Sequence, residues 1–267
     1  MNMNIVLSGH AGVTVWPIAC QLGSIQERVM TRLAALVSAC LIATPGQATP
    51  PNRLNRPIVV ELFTSQGCSS CPPADHLLVE LADRPDILAL AFHVTYWNNL
   101  GWRDPFSLDD ATTRQRDYQR RLGSDTIYTP QMIIDGSTDV VGSDRAGVTR
   151  ALQAARAEAG SAVALDVTRT ATGLNIVAGN GAGEGRLLLL GYDPRHVTAV
   201  ARGENAGAHL TEANIVRSVQ VLSEWQGARL SLNAPLPTGA RIAVLLQGRN
   251  GRMLGAATLA PDAAFGR

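Results

Sequence analysis

What most constrains this chain is a change of rhythm near Gly160. Before it, apolar runs of strand length alternate with stretches whose apolar residues fall at helical spacing; after it, the helical stretches stop. Ile58–Phe63 reads as a strand, Ala74–Ala82 as a helix with Leu77, Leu78 and Leu81 on one face, and Ile87–Val94 as a buried strand beyond the break at Asp83-Arg84-Pro85-Asp86. Residues 98–110 are irregular, and Ala111–Leu122 is a polar helix ended by Gly123. Gln131–Ile134 and Thr138–Val141 form a hairpin about Asp135-Gly136, a favoured turn pair, and Arg145–Ala159 is an alanine-rich helix. The order β-α-β-α-β-β-α predicts three parallel strands and an antiparallel hairpin strand at the edge. Beyond Gly160, eight short runs with β-type alternation, from Ala162–Thr170 to Met253–Leu259, are separated by Gly, Asn or Pro turns. That pattern indicates a β-sandwich. The expected organisation is an α/β domain over 58–160 followed by an all-β, sandwich-like domain over 161–262.

The first residues carry a different message. Met30-Thr31-Arg32 is a short basic start, Leu33–Ala43 is an apolar run too short to span a bilayer, and Thr44-Pro45-Gly46-Gln47-Ala48 supplies small residues for a signal peptidase. Residues 1–48 are therefore expected to be an upstream segment plus a secretory signal, with Met30 the true start and 49–57 a linker. The competing readings are a membrane anchor, or a lipoprotein box at Val37-Ser38-Ala39-Cys40 with Cys40 as acceptor. Signal removal implies a periplasmic or secreted protein with no stable membrane span. A formal net charge of +1 gives no electrostatic reason to expect nucleic acid as a partner.

Of the four cysteines, Cys20 and Cys40 fall in the segment expected to be removed, leaving Cys68 and Cys71. In an oxidising compartment that pair is a disulfide candidate, but its loop is too small to constrain the unfolded chain much. A redox role is the stronger explanation. The pair lies where a strand hands over to a helix start, and unpaired N–H groups there stabilise a thiolate. Cys68 is expected to be the attacking sulfur, on the solvent side, and Cys71 the resolving one. Ser69 and Ser70 either hydrogen-bond the Cys68 sulfur or cap the helix. Pro72 and Pro73 fit a first helical turn, where N–H groups are orphaned anyway. Thr129-Pro130 precedes the hairpin. In thioredoxin-type folds, whose layout the element order matches, a proline there is cis and its neighbour's backbone meets a bound peptide; an ordinary turn proline is the alternative. Asp75 is either a proton acceptor for Cys71 or a first-turn acid complementing the helix dipole. His93 ends the second strand, as a relay, a ligand or a hydrogen-bonded structural histidine. Trp97, Trp102 and Phe106 wall a substrate groove or pack in the core or as a lid, and Asp104 caps a turn or positions a group near the cysteines.

Val59–Asp75, with its Cys68-Ser69-Ser70-Cys71-Pro72-Pro73-Ala74-Asp75 core, resembles the signature of DUF1223, a family of secreted, thioredoxin-like proteins of unknown function. Phe92–Phe106, Arg114-Gln115-Arg116, Tyr128–Met132, Gly203-Glu204-Asn205 and Asn214–Arg217 resemble its further motifs. Thr95 and Asn98 stand where the pattern has aspartates, so the resemblance carries no metal or proton-transfer role over to those two positions. The resemblance implies a thioredoxin-like α/β fold and a secreted location; it implies no substrate. The expected activity is thiol–disulfide exchange with protein or small-molecule thiols and disulfides, without a cofactor. The alternatives are a Cu(I)-binding module using the same cysteines and a non-catalytic binding protein.

Overall fold

Residues 56–158 and 162–259 are described by a computed structural model. The expected signal segment, Met30, Cys40 and most of the linker lie outside the described residues. Two strands lie in the interior of the large sheet: β1 (Ile58–Thr64), apolar but for Glu61 and Thr64, and β2 (Ile87–His93), apolar up to His93, are buried at every position. Such strands must be covered on both faces. They pair in parallel, joined by α1 (Pro72–Ala82), which starts two residues earlier than its apolar spacing suggested because Pro72 and Pro73 take its first turn. α2 (Asp109–Leu122) follows, with Asp109 and Asp110 at its positive end, Arg120 and Arg121 at its negative end, and left-handed Gly123 closing it. Next come β3 (Gln131–Ile134), β4 (Thr138–Val141) and α3 (Arg145–Glu158). β3 runs antiparallel to β1, so β1 and β2 are the parallel pair of this region and β3 is not the third parallel strand that was expected.

The rest is strand: β5 (Leu165–Arg169), β6 (Leu174–Ala178), β7 (Gly185–Ala199), β8 (His209–Trp225), β9 (Leu230–Ala234), β10 (Arg241–Gly248) and β11 (Met253–Leu259). These do not form a sandwich of their own behind an α/β domain. One mixed eight-stranded sheet, ordered β11-β10-β7-β8-β2-β1-β3-β4, takes strands from both sides of Gly160, and β5, β6 and β9 make a separate three-stranded sheet. The protein is thus mostly sheet, with three helices among the described residues, and the expected thioredoxin-like α/β domain followed by an all-β domain is corrected accordingly. The join is the pairing of β2 with β8 at Ala91 and Ile215. A further difference is that the β-type runs Arg186–Tyr192 and Val197–Ala201, two of the eight expected beyond Gly160 and separated by what reads as a turn at Pro194, are one 15-residue strand, β7. Pro194 cannot donate a ladder bond, but its place in the β7–β8 ribbon has no paired partner, and opposite it Asn214 turns to φ +49°.

Three clusters fill the interior. Val59, Phe63, Leu90, Phe92, Leu188, Leu190 and Leu245 face Ala111 and Tyr118 of α2 on one side of the large sheet. Val60, Leu62, Ala89 and Ala91 pack on α1 and α3 on the other. On that same side, at the far end, Leu187, Leu189, Val244 and Leu246 meet Leu174 and Ile176 of the small sheet. Glu61, buried in β1, is held by Arg114 of α2 at 2.6 and 2.7 Å.

Candidate active site

The turn leaving β1 places Cys68 and the first turn of α1 places Cys71. Their Cα atoms are 5.4 Å apart and their sulfurs are joined in a disulfide. Cys71 is the helix N-cap, and its carbonyl accepts the N–H groups of Ala74 and Asp75. No side chain caps α1, so the serines do not serve that purpose. Ser70 Oγ lies 3.3 Å from Cys68 Sγ and donates to the Thr129 carbonyl at 3.4 Å, whereas Ser69 turns the other way, its N–H donating to Glu204 Oε2 at 3.0 Å. The expectation that Cys68 is the solvent-side sulfur is not met. Both cysteines are fully covered, while Ser69 and Ser70 are exposed.

Thr129-Pro130 is cis and adjoins the disulfide. Thr129 Oγ1 donates to Cys68 Sγ at 3.3 Å and accepts from the Trp97 indole N–H at 2.9 Å. Trp97 is thereby tied to the sulfur through one hydroxyl. Trp102 donates instead to Gln66 Oε1 at 3.1 Å, and Phe106 is buried, packing edge-on to His93 and His196. Thr95 and Asn98 hold their loop together: Thr95 bonds Thr112, and Asn98 bonds Ser107 and the Asp104 N–H.

A buried polar cluster draws on β1, α1, β2 and β8 and is linked to the pair through Asn205, which donates to the carbonyls of both Gln66 and Cys68. Asp75 Oδ1 accepts from Thr64 Oγ1 at 2.7 Å. His93 Nδ1 is 2.7 Å from Asp104 Oδ2, which also accepts the Gln66 N–H, while Asp104 Oδ1 accepts the Phe106 N–H. His93 Nε2 is 3.7 Å from Glu212 Oε1, and Glu212 Oε2 accepts from Gln66 Nε2 at 2.7 Å. Asp75 Oδ2, His93 Nε2 and Glu212 Oε1 have no hydrogen-bond partner. Burial, then the Glu212 charge, push the Asp75 carboxyl up to about 7. Burial would lower the His93 imidazole, but the Asp104 carboxylate against it prevails and raises it to about 9. Burial would raise Asp104 too, yet His93 holds it below the usual carboxylate range. Glu212 is raised, by burial.

Gln66, Asn205 and Glu212 had no individual role in the sequence reading. Their signal was weak because they act across the fold: Gln66 touches Thr198 and Glu212, 132 and 146 residues away, and Asn205 Nδ2 donates to the carbonyls of Gln66 and Cys68. The resemblance through Gly203-Glu204-Asn205 was the one available hint. Among the described residues, no group of three or more His, Cys, Asp or Glu side chains is arranged to hold a metal ion.

The family described as "Protein of unknown function (DUF1223)" matches residues 59–247. The crystal structure of protein AGR_C_4864 from Agrobacterium tumefaciens is similar over 79% of this chain and 97% of that one, with 32% identity and a TM-score of 0.69. HBP35 of Porphyromonas gingivalis is similar in fold alone, at 13% identity over 78% of this chain and 76% of that one, with a TM-score of 0.52. No curated protein matches.

Proposed function

Because the chain belongs to the DUF1223 family, whose description names no activity, we propose from its own site that it is a periplasmic or secreted thiol–disulfide oxidoreductase working through Cys68 and Cys71. The observation that carries this reading is the closed Cys68–Cys71 disulfide at the start of α1 with the Thr129 hydroxyl donating to Cys68 Sγ. A hydroxyl in that place favours negative charge on the sulfur when the bond opens. The extracytoplasmic location rests on the disulfide, which persists in oxidising compartments, and on the secretory pattern of residues 30–48. No helix among the described residues is long and apolar enough to cross a membrane.

In the oxidising direction a substrate thiolate attacks Cys68 Sγ, a sulfur–sulfur bond forms, and the Cys68–Cys71 bond breaks with Cys71 leaving as a thiolate. The proton for that thiolate is assigned to Asp75, four residues further along the chain, whose carboxyl is pushed up to about 7 and so retains a proton near neutral pH. A second substrate thiolate then displaces Cys68 from the mixed disulfide. Two electrons pass to the protein pair and the substrate leaves as a disulfide; the reducing direction is the same sequence reversed. The Trp97 edge beside Thr129 supplies apolar surface next to the reacting sulfur.

In an exchange assay with a reduced, unfolded protein, Cys68→Ser should abolish turnover and Cys71→Ser should accumulate mixed disulfides. Turnover retained by Cys68→Ser sinks the reading. One observation favours a non-catalytic binding protein instead, namely the complete covering of both cysteines. That reading requires the native pair to resist reduction by glutathione, whereas the oxidoreductase requires it to equilibrate.

A further inference from the structure

The loop between β7 and β8 reaches the cysteines from the far end of a long two-stranded ribbon, and it is fitted to them. Asn205 Nδ2 donates to the Gln66 carbonyl at 3.0 Å and the Cys68 carbonyl at 2.9 Å. Gly203 has φ +81°, and a Cβ there would stand 2.9 Å from Trp102 Cβ, so only glycine lets the loop come this close. Between these two residues, Glu204 sets its carboxylate on the N–H of Ser69, the amide that directly follows Cys68. Together the Ser69 hydroxyl and N–H hold the Glu204 carboxyl below its usual range, which keeps it ionised at neutral pH.

A C-x-x-C pair at a helix start ordinarily turns the unpaired N–H groups and the positive end of the helix dipole toward the first sulfur, which favours its thiolate. Here α1 begins with Pro72 and Pro73, which have no N–H to offer, and the amide that follows Cys68, in the turn before the helix, is already occupied by a carboxylate of the chain itself, which brings a like charge to the Cys68–Cys71 turn. We propose that Glu204 is a positioning residue that disfavours the Cys68 thiolate and so holds the pair toward its disulfide form, making it a weaker oxidant than the helix start alone would. This rests on the oxidoreductase reading and adds to it the residue that tunes the potential. The other charged groups linked to this loop, through Gln66, are Asp104 and Glu212, which with His93 and Asp75 make up the buried cluster. Glu204 differs from them in being exposed, so its effect is open to screening by salt.

Glu204→Gln tests the charge while keeping an oxygen that accepts the Ser69 N–H; Glu204→Ala removes both. The Cys68 thiolate is followed by its ultraviolet absorbance against pH in protein reduced with a phosphine, at low and high salt. The disulfide is equilibrated with glutathione in parallel. At low salt, Glu204→Gln should raise the Cys68 ionisation constant about threefold, the size expected of a charge at an exposed helix end. It should move the glutathione equilibrium toward reduced protein by a similar factor. The difference should shrink in about 1 M salt, where the Debye length falls to ~3 Å. An ionisation constant and an equilibrium both unchanged in Glu204→Gln overturn the proposal, as does a shift that high salt leaves intact. Failure of the wild-type disulfide to equilibrate with glutathione would sink the oxidoreductase reading instead, and the phosphine-reduced protein still decides whether Glu204 disfavours the thiolate.

Discussion

At the scale of single residues, the buried cluster couples protonation to folding. Asp75 is raised to about 7 and His93 to about 9, so the folded chain binds both protons more tightly than the unfolded one. Their contributions to stability are full below the ordinary values of 3.8 and 6.5 and are lost as pH rises through about 7 and about 9. Asp104, held low, works the opposite way and loses its contribution only in acid. Denaturant unfolding followed from pH 5 to pH 9 should therefore show stability falling as pH rises, by at most ~1.4 kcal/mol per pH unit for each proton. Asp75→Asn should flatten the part of the slope below about 7; a slope identical to wild type would refute the assignment. Arg114 is the second test. Its guanidinium is buried against Glu61, with Gln247 and Tyr118 completing the set. Arg114→Ala should cost about 3–5 kcal/mol because it strands the Glu61 carboxylate, and replacing both partners with apolar residues should cost much less. Urea midpoints of the wild type and these two variants decide it. Neither Arg114 nor Glu61 stands out in the sequence as buried, since an arginine in a polar helix usually faces water; only the packing of α2 on β1 turns it inward.

At the scale of elements, the parts best foreseen were those whose signal is local. β1, α1, β2, α2 and the β3–β4 hairpin follow from apolar periodicity and from breakers at Asp83–Asp86, Gly123 and Asp135-Gly136. Three residues, 135–137, join the strands, and Asp135 and Gly136, the central pair of the β-turn closed by the Ser137 N–H on the Ile134 carbonyl, both have positive φ, as a type I′ turn requires. A Cβ at Gly136 would fall 2.0 Å from the Gly251 carbonyl oxygen. Gly136→Ala should thus destabilise by at least about 2 kcal/mol, from left-handed strain and displacement of the 251 loop together. A melting temperature unchanged from wild type would show that the turn does not pack there. Pro194 misled in the opposite sense: read as a turn, it sits within β7, where an unpaired position in the ribbon leaves no ladder bond for it to break. β3 misled as well, its direction being decided by pairing with β1 rather than by the connection that leads into it.

At the scale of the whole molecule, the large sheet binds together residues before and after Gly160. β2 pairs with β8, Asn214 Nδ2 donates to the Ala89 carbonyl at 2.8 Å, and Gln247 of β10 shares the Arg114 network. Calorimetry should accordingly record one cooperative transition, and residues 58–158 expressed alone should not give a stable fold because the edge of β2 would lose its neighbour. Two separate transitions would contradict a shared sheet. The candidate site has the same dependence, since Glu204, Asn205 and Glu212 reach it from the β7–β8 ribbon. By itself the sequence determined the strands, the helices and the C-x-x-C pair at a helix start, because periodicity, turn chemistry and residue spacing act over a few neighbours. Tertiary structure alone decided that the strands share one sheet, that both cysteines are covered, and that an acid from the far ribbon meets Ser69. Those outcomes depend on pairing and packing between segments more than a hundred residues apart, and no local pattern encodes which edge a strand will join.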